Sequence, residues 1–288
     1  MLQVARLAPK LLRDSTELVA GFLRGQLNDD GGFGGRDGKS DLYYTLFGLD
    51  GLVALQADLP VSRLVTYLRS FGDGTELDFV HLTCLARCWA ALPVPWRGEV
   101  PRGALLGRLE QFRSRDGGYD AQPAAEHGTI YGCFLTLGAY QDLHAEMPQA
   151  ERMLECIQRL RAADGSYANH FGATIGLTPA TAAAATLLRN LGQPVDRGVA
   201  EWLLGRCHEQ GGFFAVPDAP LPDLLSTATA LHALSGLHVE LKGIQEPCLD
   251  FIDSLWTNRG GFHGHWEDDE LDCEYTYYAL LALGHLSL

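Results

Sequence analysis

The chain has 288 residues, of which 47% are hydrophobic, and a formal net charge of −14 at pH 7. This composition is typical of a folded globular protein with a sizeable apolar core. The negative charge, with no cluster of lysine or arginine longer than a pair, argues against nucleic acid and anionic membrane surfaces as partners. No apolar run approaches the roughly 20 residues of a membrane-spanning helix. Residues 1–26 lack the apolar core of a signal peptide, so we expect no membrane span and a cytoplasmic location.

A turn of two glycines followed by an aromatic residue recurs along the chain, first at Gly31-Gly32-Phe33. Most copies are about 48 residues apart, but the first interval is about twice as long, so a degenerate copy is expected at Phe71-Gly72-Asp73-Gly74. An unbroken repeat of this kind indicates one continuous body, and we predict a single domain over residues 1–288. The six turns lie near residues 31, 73, 117, 165, 211 and 260.

Each repeat is predicted to hold an amphipathic helix, the glycine turn, and then a more uniformly apolar helix. The first helices are predicted over residues 15–27, 61–71, 102–113, 149–161, 195–207 and 244–256. The second helices are predicted over residues 41–55, 77–92, 127–143, 179–191, 223–237 and 272–286.

Amphipathic helices, which have one solvent-exposed face, alternate with apolar helices. This alternation predicts an all-α fold in two concentric rings, with the apolar helices inside. An open superhelical solenoid is the alternative, but the inner helices have too few polar positions for an exposed concave face. Most inner helices begin with a carboxylate, as at Asp41, Asp223 and Asp272, which stabilises a helix N-terminus. In the fourth repeat Thr178 is the predicted N-cap, followed by Pro179.

The seven cysteines are scattered through apolar, helix-like stretches. Their odd number and the absence of a Cys-x-x-Cys pair predict reduced, buried thiols rather than a disulfide framework. The positions are Cys84, Cys88, Cys133, Cys156, Cys207, Cys248 and Cys273.

Residues at the starts of the inner helices are expected to face a central cavity. An aromatic-lined cavity with an acidic mouth suits a long apolar ligand with a polar head, and aromatic faces can stabilise a carbocation. The polar positions are Asp41, Asp78, His81, Glu126, His127, Thr178, Asp223, Asp272 and Glu274. The aromatic positions are Tyr43, Tyr44, Phe47, Phe79, Tyr131, Phe134, Tyr275, Tyr277 and Tyr278.

These repeats resemble those of protein prenyltransferase β subunits and of squalene-hopene type terpene cyclases. That resemblance implies an α/α toroid, an (α/α)6 barrel of six helix pairs. The first repeat is most similar to the prenyltransferase branch, because residues 31–39 match Gly-Gly-Phe-x-Gly-Arg-x-x-Lys. The match implies that Arg36 and Lys39 bind a prenyl diphosphate with help from Tyr44. The segment Glu126-His127-Gly128 resembles a diphosphate-contacting segment of the family, which adds His127 to that site.

The resemblance also implies zinc, which the family holds with aspartate, cysteine and histidine. Asp41 matches the aspartate, but Tyr43 occupies the cysteine position, and a phenol is a poor substitute for a thiolate. His81, in the next repeat, could supply the histidine. The alternative metal set lies in the last repeat, at Asp272, Cys273 and Glu274. Zinc and magnesium both remain possible cofactors.

The resemblance therefore implies an isoprenoid-handling enzyme that transfers or rearranges the prenyl group of a prenyl diphosphate. Asp41, Tyr44 and Asp272 are its candidate catalytic residues. The cavity is assigned to Tyr43, Phe47, Phe79, Tyr131, Tyr275 and Tyr278. The ligand is a prenyl diphosphate or another isoprenoid or lipid, and the protein partner is a helical-repeat α subunit or a second copy.

Three alternatives remain open. The first is a toroid that has lost catalysis and acts as a lipid- or protein-binding scaffold. The second is a terpene-cyclase-like enzyme, although such cyclases usually have a second helical domain, and the acidic residues 267–272 are expected to form a solvated loop. The third is a carbohydrate-active enzyme that uses two cavity carboxylates.

Overall fold

The computed structural model describes all residues of the chain, 1–288. Fourteen α-helices make up most of the fold, together with one two-stranded sheet and three short 3-10 helices at 13–15, 94–99 and 110–112. The elements are α1 (Leu2–Ala5), α2 (Pro9–Leu12), α3 (Thr16–Gly25), β1 (Phe33–Gly34), β2 (Ser40–Asp41), α4 (Leu42–Ala54), α5 (Val61–Arg69), α6 (Phe79–Ala91), α7 (Arg102–Leu109), α8 (Ile130–Asp142), α9 (Ala150–Arg159), α10 (Thr178–Asn190), α11 (Arg197–Leu204), α12 (Leu224–Gly236), α13 (Lys242–Ser254) and α14 (Cys273–Leu286).

All six predicted helix pairs are present, and their bounds lie within a few residues of the predicted ones. The odd-numbered helices from α3 to α13 are the first members, and the even-numbered helices from α4 to α14 are the apolar second members. The short helices α1 and α2 and the hairpin β1–β2 were not predicted, because each is shorter than the windows in which periodicity can be recognised.

The glycine turns position the second helix by the same local contacts in four of the six repeats. The first glycine has a positive φ, as at Gly31 (94°) and Gly211 (89°), a conformation that only glycine adopts without strain. The aromatic residue of the turn then donates its backbone N–H to a threonine one turn into the inner helix. Phe33 donates to Thr45 Oγ1 over 2.9 Å, and Phe213 donates to Thr227 Oγ1 over 2.9 Å.

The predicted N-cap of the fourth repeat is wrong. Thr178 is the first residue of α10 and is fully buried, and the cap position is occupied by Leu177, whose side chain cannot accept a hydrogen bond. Elsewhere the predicted carboxylates do cap their helices. Asp223 accepts from Ser226 N over 2.7 Å, and Asp272 accepts from Tyr275 N over 2.8 Å.

The chain divides into two compact units, 1–60 with 200–288, and 61–199. In the first unit α14 packs between α12 and α4, and α1 packs against both α14 and α4, so the last repeat contacts the first. In the second unit α8 packs against both α6 and α10. A single domain over residues 1–288 stays a prediction.

The cysteines were predicted to be reduced and buried. All seven are free thiols, and six of them are buried. None of the helices is long and apolar enough to cross a membrane.

Candidate active site

Arg36 joins the first repeat to the last through a set of ion pairs. Its Nε lies 2.8 Å from Asp272 Oδ2, and its Nη1 and Nη2 lie 3.2 and 2.9 Å from the two oxygens of Asp268. Glu270 Oε2 lies 3.7 Å from the same Nε. One guanidinium is therefore surrounded by three carboxylates, and this group of four side chains is called the Arg36 cluster below.

The hairpin and the loop before α14 hold the members of the Arg36 cluster in place. Strands β1 and β2 pair Phe33 with Asp41, and Arg36 lies in the turn between them. Asp268 accepts from the backbone N–H groups of Gly264 and Glu270 over 3.0 and 3.2 Å. Asp268 is therefore fixed by its own loop as well as by Arg36.

The ion pairs shift the pKa values within the cluster. Burial alone would lower the pKa of Arg36, but hydrogen bonds to Asp268 and Asp272 and their charges raise it well above its ordinary value. Burial alone would raise the pKa of Asp268, but hydrogen bonds from Arg36 and from the backbone hold it below its ordinary value. Arg36 and Asp268 are thus both charged at neutral pH.

Glu274 and Tyr43 form a second polar contact between the last repeat and the first. The Tyr43 hydroxyl donates to Glu274 Oε1 over 2.5 Å. Burial and the nearby charge of Asp272 raise the pKa of Glu274 to about 7, although the hydrogen bond from Tyr43 and the charge of Arg36 lower it. A carboxyl group with such a pKa can both hold and release a proton near neutral pH.

Aromatic rings from α4 and α14 surround this pair. Phe47 is central, with its ring 4.9 Å from that of Tyr43, 5.7 Å from that of Tyr277 and 5.4 Å from that of Tyr278. Tyr44 packs edge-on to Tyr43, with 5.6 Å between the ring centroids. The structure thus brings Tyr43, Phe47 and Tyr278, three of the predicted cavity residues, together with Glu274.

The other predicted residues of this unit have their own contacts. The Asp41 carboxylate caps α4, accepting from Tyr43 N and Tyr44 N over 2.7 and 3.4 Å. Tyr275 lies under Arg36, whose guanidinium carbon is 5.4 Å from the ring centroid. Lys39 is 85% exposed, and its Nζ lies 3.6 Å from Asp37. The roles predicted for these side chains remain predictions.

Four predicted site residues lie in the second unit. His81 Nδ1 lies 2.8 Å from Asp78 Oδ2, so the imidazole is held at the start of α6. His127 Nδ1 lies 3.4 Å from Asp116 Oδ2, and Tyr131, at the start of α8, is exposed. Phe79 is 1% exposed and packs against Phe112, which places it in the hydrophobic core of that unit.

The donor sets predicted for zinc do not fit that metal. No three histidine, cysteine, aspartate or glutamate side chains converge so as to hold a metal ion. In the last repeat Asp272 is paired with Arg36, and Cys273 is completely buried with a thiol pKa raised by burial. Tyr43, in the family cysteine position, is hydrogen-bonded to Glu274. These residues are therefore assigned no metal-dependent step.

Two residues of the Arg36 cluster were missed by the sequence reasoning. Residues 267–272 were expected to form a solvated loop, but the Asp268 side chain is only 8% exposed and pairs with Arg36. Glu270 contacts Arg36 as well. The signal that could have revealed them is the acidic run in the last repeat, which in a closed ring faces the basic pair of the first.

A family model of the prenyltransferase alpha-alpha toroid domain matches residues 7–85 and 180–287, more than half of the chain. The chain therefore belongs to this family, and the predicted α/α toroid is confirmed. Among curated proteins, no sequence matches the chain.

Solved structures of similar fold come from both branches of the predicted resemblance. A type II terpene cyclase from Scytonema, in complex with its substrate geranylgeranyl dihydroxybenzoate, has 13% identity and a TM-score of 0.63, with 97% of each chain covered. Protein geranylgeranyltransferase-I of Candida albicans, complexed with GGPP, has 16% identity and a TM-score of 0.53, with 97% of this chain and 80% of that chain covered.

A second helical domain is usual in such cyclases, but this chain covers 97% of the Scytonema cyclase chain, so the fold of that cyclase chain is matched over nearly its whole length.

Proposed function

We propose that the protein is an isoprenoid-handling enzyme that starts a cyclisation or rearrangement by proton transfer, with Glu274 as the proton donor. The observation that best supports it is the pair of Glu274 and Tyr43 among the rings of α4 and α14. A carboxyl group whose pKa is raised to about 7 is protonated in a large share of the molecules in neutral solution. The surrounding rings are apolar enough to receive a prenyl chain and can stabilise positive charge.

The proposed reaction begins with a proton transfer between one side chain and the substrate. Glu274 donates its proton to one carbon of a prenyl double bond, and the electron pair of that bond forms the new C–H bond. The other carbon becomes a cation, which the next double bond can attack to close a ring. The product cation then loses a proton to water, and the Glu274 carboxylate takes up a proton from water, so the donor is regenerated and the product is an isomer of the substrate.

Neighbouring side chains assist this donor. The Tyr43 hydroxyl binds one oxygen of Glu274 and so orients the carboxyl group. Asp272, held by Arg36, places a negative charge close to Glu274, which favours its protonated form. The rings of Phe47, Tyr277 and Tyr278, which pack against one another, would stabilise the cation as it develops, and none of them is a strong nucleophile.

Prenyl transfer from a diphosphate is the second candidate. It is supported by the match of residues 31–39 to the prenyltransferase pattern and by the fold shared with a geranylgeranyltransferase complexed with GGPP. In that reaction Arg36 and Lys39 would hold the diphosphate, and the products would differ in mass from the substrate. The two candidates are therefore distinguished by their products.

The test is product analysis by mass spectrometry with geranylgeraniol and geranylgeranyl diphosphate as probes. We expect an isomer of unchanged mass, and we expect Glu274→Gln to reduce its formation at least about a hundredfold, as for the loss of a general acid. Glu267→Gln is the matched control, because Glu267 is exposed in the loop before α14 and is not one of the carboxylates that contact Arg36 or Tyr43. Release of diphosphate with prenyl transfer would favour the second candidate, and normal turnover by Glu274→Gln would refute the proposal.

A further inference from the structure

We infer that the isoprenoid substrate of this site has an uncharged polar end, such as an alcohol or a phenol, and no diphosphate. This inference deepens the proposed function and rests on it. It follows from the contacts of Arg36, the one residue of the first repeat that both matches a diphosphate-binding pattern and reaches the candidate site.

The Arg36 cluster is already negative before any ligand binds. One guanidinium is matched by Asp268 and Asp272 at 2.9 and 2.8 Å and by Glu270 at 3.7 Å. Three carboxylates around one cation leave an excess of negative charge, so a diphosphate would meet net repulsion. The same arrangement tolerates a neutral ligand and favours a developing cation.

The carboxylates cannot simply turn away to release Arg36. The Asp272 side chain is 1% exposed, and its other oxygen accepts from Tyr275 N at the start of α14. Asp268 accepts from two backbone N–H groups of its own loop. Removing Arg36 from these partners would leave buried carboxylates unpaired, which is costly.

Lys39 does not make up for the missing positive charge. Its side chain is almost fully exposed, and its nearest carboxylate is Asp37, 3.6 Å away in the same turn. An exposed lysine contributes little to binding, because water and salt screen its charge. In contrast, Tyr43 is half-buried beside other aromatic rings, and a phenol hydroxyl can exchange hydrogen bonds with a neutral hydroxyl group.

Direct binding of geranylgeraniol and geranylgeranyl diphosphate to the full chain tests the inference. We expect the wild type to bind the alcohol at least as tightly as the diphosphate. Asp268→Asn should free the Nη side of the Arg36 guanidinium and tighten diphosphate binding about tenfold, because the carboxylate charge that pairs with it is removed.

Asp269→Asn is the matched control, because it removes the same charge from the same loop but Asp269 is not one of the carboxylates that contact Arg36. A similar gain in both variants would mean that overall charge, not the release of Arg36, is responsible, and would overturn the inference. Arg36→Gln provides a second readout, because it should not weaken diphosphate binding to an otherwise unchanged chain.

Wild-type preference for the diphosphate, abolished by Arg36→Gln, would overturn the inference, and so would failure of the alcohol to bind. These measurements are independent of turnover. If the chain binds the alcohol but Glu274→Gln retains full activity, the proton-donor role fails while the substrate class stands.

Discussion

At the scale of single residues, Glu274 and Asp272 show how two carboxylates close in the chain acquire different properties. Asp272 is paired with a guanidinium and caps a helix, so its carboxylate is held by two contacts with donors. Glu274 has one neutral partner, the Tyr43 hydroxyl, whose ring packs against Phe47, and burial raises its pKa. These different surroundings assign the role of acid to Glu274 and a positioning role to Asp272.

The pKa of Glu274 predicts how activity depends on pH. Because burial raises it to about 7, the donor is protonated below that pH and loses its proton above it, so kcat should fall as the pH rises through about 7. Tyr43→Phe removes a hydrogen bond that lowers this pKa, so the fall should move to higher pH. A pH profile of kcat for both proteins checks this, and a shift to lower pH in Tyr43→Phe would contradict it.

The same shift predicts a stability difference. A carboxyl group whose folded-state pKa is raised stabilises the fold most below its unfolded pKa, and this contribution is lost as the pH rises through the folded value. Relative to Glu274→Gln, the wild type should therefore lose stability between about pH 4.5 and pH 7. Urea unfolding of both proteins at several pH values measures this difference, and parallel curves would show that Glu274 has an ordinary pKa.

At the scale of the helices, the inner members of the repeats depend on their N-caps. Asp223 and Leu177 occupy equivalent positions, both in extended backbone before an inner helix, but only Asp223 supplies an acceptor. The threonine contacts one turn later are preserved in both repeats, at Thr227 and Thr181. The fourth repeat thus keeps the turn geometry and lacks the cap.

Leu177→Asp should therefore stabilise the protein by about 0.5 to 1 kcal/mol, because Leu177 is 37% exposed and a cap would satisfy a free N–H group. Asp223→Ala should destabilise it by about 1 kcal/mol. Chemical denaturation checks both variants. Leu177→Ala separates the loss of the leucine from the gain of the cap, and equal stability of Leu177→Ala and Leu177→Asp would show that the cap adds nothing.

The fold was largely predictable from the sequence because the helix pairs are long and periodic, with the glycine turn as a marker. The candidate site was less predictable from the sequence. Arg36 was recognised by its place in a motif, but motifs do not show which side chains neutralise one another. Its partners Asp268 and Asp272 lie in another repeat, and their contact depends on tertiary packing. The pairing of Tyr43 with Glu274 is likewise a contact between repeats.

At the scale of the whole molecule, one compact unit is assembled from both ends of the chain, 1–60 and 200–288. Helix α1 packs on α14 at a point where there is no room for a side chain. A Cβ built on Gly284 would lie 2.1 Å from the carbonyl oxygen of Val4. The closeness of the two helices therefore depends on this glycine.

Gly284→Ala should accordingly lower stability by about 1 to 3 kcal/mol, the usual cost of overpacking. Gly138→Ala is the control, since Gly138 lies within α8 and a Cβ there meets no atom within 4 Å. That variant should gain about 0.5 to 1 kcal/mol, because alanine favours helices over glycine. Thermal unfolding measures both, and equal stabilities of the two variants would show that α1 adapts to the added methyl group.

Arg36 and Asp272 are 236 positions apart in the chain, and this separation has a consequence for synthesis. A ribosome adds about 5 to 20 residues per second, so the newly made hairpin waits on the order of tens of seconds for its partners. During that time the apolar helix α4 lacks α14, which packs against it in the folded unit. We therefore expect the nascent chain to expose the hydrophobic surface of α4 until translation is nearly complete. Chaperones that bind at the ribosome are expected to cover this surface.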